Sequence, residues 1–410
     1  MEKGVWFMTR SRLLAIIVFL MTGMIIVFPE VAFHASLEGL QLWFEIVLPT
    51  LLPFFIMVDL LMGLGVVHFL GSLLEPIMRP LFRLPGVGGV AVAMGLVAGY
   101  PMGAKVTGEL ARSKSITQVE AERLMSFANT AGPLFLVGAV GVGMFGRPEL
   151  GVTLLIAHYA GAVFVGLCMR LHKGPESSGE HIKSSYLGRA LDAMDKARRA
   201  DGRSFGLLFG DAIRSTFHAL LFIGGCIMMF SVLASVLSST GVLYPLKTVL
   251  AFLLNLFGLD GSLAPALVKG FFETTLGTQT VAQNATSLGA GAAAASFILG
   301  WSGLSVHMQV AAMLSGTKVG FKPYIQARLL HGLFSAIIAA LLLGPMSFIP
   351  ASLKNTMPVV STTHYLNGSF AARFLASARL ATSFLLILVI MLSVVWLIKR
   401  MIYISFRSRS

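Results

Sequence analysis

The stretch Gly86-Val-Gly-Gly-Val-Ala-Val-Ala-Met-Gly-Leu-Val-Ala-Gly-Tyr-Pro-Met-Gly-Ala-Lys-Val-Thr107 decides the fold. It is apolar enough to enter a bilayer, yet Gly86, Gly88, Gly89, Gly95, Gly99 and Gly103, with Pro101, interrupt it. Either it crosses the membrane in full or it dips in and returns. Each choice reverses the orientation of everything downstream, so the basic residues can decide, because Lys and Arg collect in cytoplasmic loops. A full crossing would put outside both the stretch holding Lys105, Arg112, Lys114 and Arg123 and the basic loop from Arg170 to Arg203. A re-entrant hairpin with a cytoplasmic N-terminus instead gathers Arg79 and Arg83, the 105–123 cluster, the 170–203 loop, and Lys318 and Lys322 on the cytoplasmic face. The tail with Lys399, Arg400, Arg407 and Arg409 joins them, and the 350–373 loop, with only Lys354 and Arg373, becomes external. The hairpin is the expected form, with both termini cytoplasmic.

That lipid is the solvent follows from composition. Of 410 residues 56% are hydrophobic and only 12% charged, and the mean hydropathy is +0.83, far from the norm of soluble domains. Apolar runs long enough to cross a hydrocarbon core cover 13–33, 43–67, 127–145, 151–171, 212–237, 293–316, 327–349 and 378–398. They are too long and too uniform for barrel strands. The expected fold is an all-α polytopic membrane protein with about eight transmembrane helices plus two re-entrant helical hairpins. The first run follows Lys3, Arg10 and Arg12 without a small-x-small cleavage site between Val27 and Glu30, so it reads as a retained helix.

The net charge of +13 is explained by the positive-inside rule, and no nucleic-acid partner is expected. Cys168 and Cys226 lie in apolar runs and read as packing residues, which leaves neither a disulfide framework nor a cysteine metal site. No GxxxxGK[ST] loop and no HExxH pair occurs. An ATP-driven pump and a zinc protease are therefore disfavoured, and no catalytic residue, metal or cofactor is expected.

A second interrupted segment, 262–284, carries Gly270 and Gly277 with Glu273, Thr274, Thr275, Gln279 and Thr280. Gly99 and Gly270 stand 171 positions apart, and the same offset relates Leu96 to Leu267, Ala111 to Ala282 and Gly132 to Gly303. Each copy has an apolar helix, an amphipathic stretch, an interrupted segment and another apolar helix. The helices entering the copies, 43–67 and 212–237, point in opposite directions under the hairpin topology, so the repeats are inverted. The expected organisation is an N-terminal helix over 1–40, a first gate repeat over 41–150, a linking helix and basic loop over 151–211, a second gate repeat over 212–320, and C-terminal helices over 321–410. The stretches 70–84 and 108–126 have the amphipathic spacing of helices lying on the membrane surface, with Glu109–Arg112 and Glu120–Arg123 as solvated ion-pair faces.

Gly99-Tyr-Pro-Met-Gly-Ala-Lys105, followed by Glu120-Ala-Glu-Arg-Leu124 and Phe127-Ala-Asn-Thr-Ala-Gly-Pro-Leu-Phe135, resembles the sporulation integral membrane protein family typified by YlbJ, also called SpoVV. That family belongs to the gate-domain, or nucleoside-recognition, superfamily, and the resemblance covers about residues 45–350. It implies movement of dipicolinic acid across the outer forespore membrane during endospore formation. Oligomers of related scaffolds suggest a homo-oligomer by analogy alone.

The hairpin tips are the natural binding elements, since irregular backbone at membrane depth is tolerated only where it lines a cavity or is buried in protein. A carboxylate would be drawn to half-helix N-termini. Tyr100 could stack on a flat aromatic ring while Asn129, Thr130, Thr274, Ser302 and Ser305 offer hydrogen bonds; helix-to-helix glue is the plain alternative for such residues. Glu273, an acid within a membrane segment, marks a substrate or ion path unless it lies at the outer surface. Glu273 and Asp59 are the candidates for a coupling proton or sodium. Lys105 and Lys269 could attract a dianion or snorkel to the interface. His158, His307, His331 and Trp301 read as packing. Three functions remain open: an organic-anion transporter, a nucleoside or cation transporter on the same scaffold, and a sporulation scaffold that transports nothing.

Overall fold

The computed structural model describes residues 2–173, 186–256 and 259–343, and among them there are helices and no strand. Backbone polar groups in lipid must be paired within their own segment, which selects helices. After α1 (Glu2–Val27), α2 (Pro29–Leu42) runs through a π-helical turn, Trp43–Val47, into α3 (Leu48–Gly63). Pro29–Gly63 is thus one rod of 35 residues. There follow α4 (Val66–Phe82), α5 (Gly88–Ala98), α6 (Met102–Arg112), α7 (Gln118–Ala128), a π-helix over Phe135–Met144, and α8 (Pro148–Met169). Past α9 (Tyr186–Asp201) the series recurs. A second 35-residue rod, α10 (Phe205–Ser239), leads to α11 (Tyr244–Leu256), α12 (Ala264–Phe272), α13 (Thr274–Asn284), α14 (Leu288–Trp301), α15 (Gly303–Met313) and α16 (Phe321–Leu343).

Among the described residues five helices are long and apolar enough to cross a membrane: Pro29–Gly63, α8, α10, Leu288–Met313 and α16. Two expected crossings, 13–33 and 127–145, are not among them: the first is parted at Phe28, between α1 and α2, and its apolar part Arg12–Val27 is a shorter helix. The run 127–145 is no continuous helix, because the chain leaves helical geometry from Asn129 to Gly132. The run 293–316 is interrupted at Ser302 and Gly303, both with left-handed φ, +73° and +67°. Hydropathy averages over such short breaks and does not register them. The run 378–398, the 350–373 loop, the basic tail and residues 174–185 of the basic loop lie outside the described residues.

The two interrupted segments are helix–turn–helix pairs. The first turns at Gly99-Tyr100-Pro101, where Gly99 takes φ +79° and the Tyr100–Pro101 bond is cis. The second turns at Glu273 alone. Its arms touch backbone to backbone, since a Cβ on Gly277 would lie 2.3 Å from the Gly270 Cα. Pro101 and Glu273 both precede the returning arm and are 172 positions apart, one more than the repeat offset read from the sequence.

Large side chains such as Phe19, Phe44, Phe164, Phe217 and Phe222 point outward, as a lipid-facing surface requires. The rods pack on each other, with Trp43 Nε1 donating to the Leu220 carbonyl at 2.9 Å and the Ser231 hydroxyl to the Ala35 carbonyl at 2.7 Å. The expected solvated pair Glu120–Arg123 is instead buried. Glu120 closes a capping box with Thr117, and Arg123 donates to the carbonyls of Arg83, His172 and Lys173. Helix α7 packs inward along nearly its whole length, which the amphipathic pattern concealed. The cysteines also part company: Cys168 is exposed on α8, while Cys226 on α10 faces the interior cavity described next.

Candidate functional site

Four discontinuities meet at one place: the tip 99–101, the break after Ala128, the tip at Glu273, and the break at Ser302. A Cβ on Gly99 would lie 2.6 Å from the Gly132 amide nitrogen, and one on Gly303 3.0 Å from Glu273 Cα. Only glycine allows these approaches. Between the tips is a cavity of about 40 Å³, room for a few water molecules. Gly99 and Tyr100 form one wall and Glu273, Thr274 and Thr275 the opposite one. Gly132, Phe135, Val306 and Gln309 follow the two breaks, and Phe54, Phe55 and Cys226 come from the rods.

The electrostatics are those of helix ends. Helix α6 starts at the tip with no side-chain cap: its Met102 amide turns back to the Gly99 carbonyl at 3.0 Å, and the positive end of its dipole lies at the tip. Helix α13 is capped by its own acid: Glu273 accepts the Leu276 amide at 2.7 Å and the Thr275 hydroxyl at 3.1 Å. Glu273 is 4% exposed and brings the one formal charge in the cavity wall among the described residues. The Tyr100 hydroxyl is buried beside that of Thr274 without closing a hydrogen bond of ordinary geometry. Its ring meets Phe135 edge to face at 6.2 Å.

Behind the cavity is a second layer of polar contacts, organised by Arg328 of α16. Its guanidinium donates to the Asn129 carbonyl at 2.5 Å, to Ser302 Oγ at 3.5 Å, and to His331 Nδ1. His331 Nε2 then donates to the His158 carbonyl at 2.7 Å, and His158 Nε2 accepts the Ala131 amide at 2.9 Å. Each imidazole therefore has a lone pair committed to accepting, which fixes both rings as uncharged packing groups. The Asn129 amide donates to Tyr324 Oη at 2.9 Å, and the Thr130 hydroxyl to the Gly95 carbonyl at 2.8 Å.

Of the residues singled out from sequence, Tyr100, Glu273 and Thr274 come together at the cavity. Asn129, Thr130 and Ser302 lie in the layer behind, where the Asn129 amide bonds the Tyr324 hydroxyl and the two hydroxyls bond the Gly95 and Leu299 carbonyls. Ser305 is buried with its hydroxyl unpartnered, one residue from the wall. Lys105 is exposed on α6, beyond the wall. It acts electrostatically on Asp59 of α3, which also takes a hydrogen bond from Ser215, so Asp59 too lies apart from the cavity. Lys269 pairs with Glu38 at 3.5 Å. His307 stacks on Trp301 with centroids 4.3 Å apart. Sequence reasoning missed Arg328, Tyr324 and Gln309. Arg328 had a signal, a charge inside the apolar run 327–349, but so near the start of a run a charge has an ordinary place at the membrane surface.

Apolar rods around two helical hairpins and two broken helices define a multi-pass membrane protein of the gate type. Residues 44–159, the first of the two series, match the family model Gate, described as nucleoside recognition. Over 341 residues, 82% of this chain and 84% of the other, the sequence is 44% identical to the sporulation integral membrane protein YlbJ of Bacillus subtilis (strain 168). The chain belongs to that family of sporulation integral membrane proteins. No solved structure matches it.

Proposed function

We propose that this protein carries a small organic anion, dipicolinic acid in the sporulating cell, across the outer forespore membrane together with a proton held on Glu273. The observation that carries the reading is the meeting of two hairpin tips and two broken helices at one buried cavity. A protein that only scaffolds an assembly has no use for interrupted backbone around an internal cavity with an acid in its wall. The hairpins are taken as re-entrant and the repeats as inverted, with about eight crossings and both termini cytoplasmic. The uncapped α6 N-terminus suits a carboxylate, and Tyr100 offers a face to an aromatic ring. A dianion beside an ionised Glu273 would be repelled, and protonation of Glu273 removes that repulsion, which couples the two movements.

A second reading has its own support: the wall's formal charge is negative and the matched family model is described as nucleoside recognition. A neutral nucleoside could hydrogen-bond to Glu273 as it stands. Uptake of radiolabelled dipicolinate into proteoliposomes, with uridine as competitor, separates the two. The anion reading expects saturable uptake that uridine does not inhibit, that an imposed proton gradient accelerates, and that loses gradient sensitivity in Glu273→Gln. Uridine uptake with no dipicolinate uptake would replace it with the nucleoside reading.

A further inference from the structure

Among the described residues Arg328 is the largest side chain that is fully buried, at 0% exposure. No carboxylate among the described residues pairs with it. Besides His331 Nδ1 on its own helix, its hydrogen-bonding neighbours are the ends of helices. Nη1 donates to the carbonyl of Asn129, the residue that closes α7, at 2.5 Å, and reaches the hydroxyl of Ser302, the residue that closes α14, at 3.5 Å. The Ser302 hydroxyl turns its own proton to the Leu299 carbonyl at 3.2 Å, so its lone pairs face the guanidinium. The Tyr324 ring lies 5.7 Å from the guanidinium carbon.

Both helices stop at this point. Each leaves its last carbonyls without intrahelical partners and presents the negative end of its dipole. In discontinuous membrane helices such ends bind cations. The other candidate carbonyl here, that of Ala128, is already enclosed: a Cβ on Gly95 or Gly103 would lie 1.6 or 2.0 Å from it. That backbone packing leaves no gap the size of an ion. The positive charge that the two ends call for comes from the chain itself.

We propose that Arg328 is a resident cation: it joins the end of α7 in the first repeat to the end of α14 in the second, and it makes the protein indifferent to sodium. The guanidinium also fixes the two breaks relative to each other, so it positions the segments that line the cavity without touching what enters there.

The test is thermal melting of the purified full-length protein in detergent, in sodium chloride and in choline chloride at equal ionic strength. Wild type is expected to melt at the same temperature in both. Arg328→Met is expected to melt at least about 5 °C lower in choline chloride, and to regain half of that loss in sodium chloride or with sub-denaturing guanidinium. Arg328→Lys, which keeps a charge, is expected to lose less. Stabilisation of wild type by sodium would overturn the proposal, as would an Arg328→Met protein that melts like wild type or whose loss neither cation repairs. Should Arg328→Met fail to fold, wild type and Arg328→Lys decide. Melting needs no transported solute, so this outcome is independent of the transport reading.

Discussion

Gly95 and Gly103 show how one missing Cβ can hold a site together. They are on the two arms of the first hairpin and both face the Ala128 carbonyl, where an added methyl would overlap backbone and not a movable side chain. Gly95→Ala is therefore expected to destabilise by about 1–3 kcal/mol or more, read as a lower melting temperature in detergent. Gly225→Ala on α10, with nothing within 4 Å of the new methyl, should lose nothing; equal losses in both variants would refute the packing argument. Tyr324→Phe removes the acceptor for the Asn129 amide and is expected to cost about 1–2 kcal/mol, because that buried donor is left unpaired. At this scale the sequence was readable where chemistry is conspicuous. Glu273 stands out as an acid in an apolar segment, and it lies in the cavity wall. Arg328 did not stand out, because a charge near the end of an apolar run has an ordinary explanation at the membrane surface, and only the convergence of two distant helix ends gives it another.

The hairpins were legible as elements, since clustered Gly with Pro101 breaks one helix and Gly270, Glu273 and Gly277 break the other. The interruptions at 129–132 and 302 were not, because Asn129, Thr130 and Ser302 are a few polar residues in long apolar windows, and so short a break leaves the hydropathy of the window unchanged. The burial of α7 was hidden for a related reason: its charged residues satisfy one another and the backbone, so charge did not mean exposure. Glu122 is the clearest case. Burial pushes its carboxyl up, but hydrogen bonds from His172, Gln118 and the Gly320 amide, with the Lys173 charge, outweigh that and hold it below the usual carboxylate range. His172 Nε2 is 2.8 Å away and the Gly320 nitrogen 3.0 Å, so the carboxylate fastens α7 to the end of α8 and to the segment before α16. A carboxyl lowered in the folded state stabilises above its unfolded pKa and stops doing so as pH falls through the folded one. Wild type should thus lose melting temperature as pH drops below about 4.5, and Glu122→Gln should show a shallower acid dependence from a lower starting point. Parallel acid profiles would show that Glu122 is not the fastening charge. Thr117→Ala, which opens the capping box at the other end of the same turn, is expected to cost about 1 kcal/mol at any pH.

For the whole molecule the decisive quantity is the size of the cavity. About 40 Å³ admits water and not an aromatic dicarboxylate, so the proposed transport requires the hairpin tips to part from the rods and open the cavity to one side at a time. The protein carries its own reporter of that motion. Cys226 is half-buried on α10 and faces the cavity, while Cys168 is exposed on α8 away from it. Cys168→Ser therefore leaves one thiol at the cavity among the two cysteines of the chain. A charged methanethiosulfonate added to proteoliposomes of this variant should modify Cys226 slowly, because reaction waits for opening. Dipicolinate at about ten times its Kd should slow modification roughly tenfold if it occupies the same space, and an imposed proton gradient should change the rate only when dipicolinate is present. Glu273→Gln should keep the protection by dipicolinate and lose the response to the gradient. The two effects separate binding from coupling: protection without gradient response in wild type would keep the anion site and remove the proton from the mechanism. Labelling that dipicolinate leaves untouched would remove the cavity from the path.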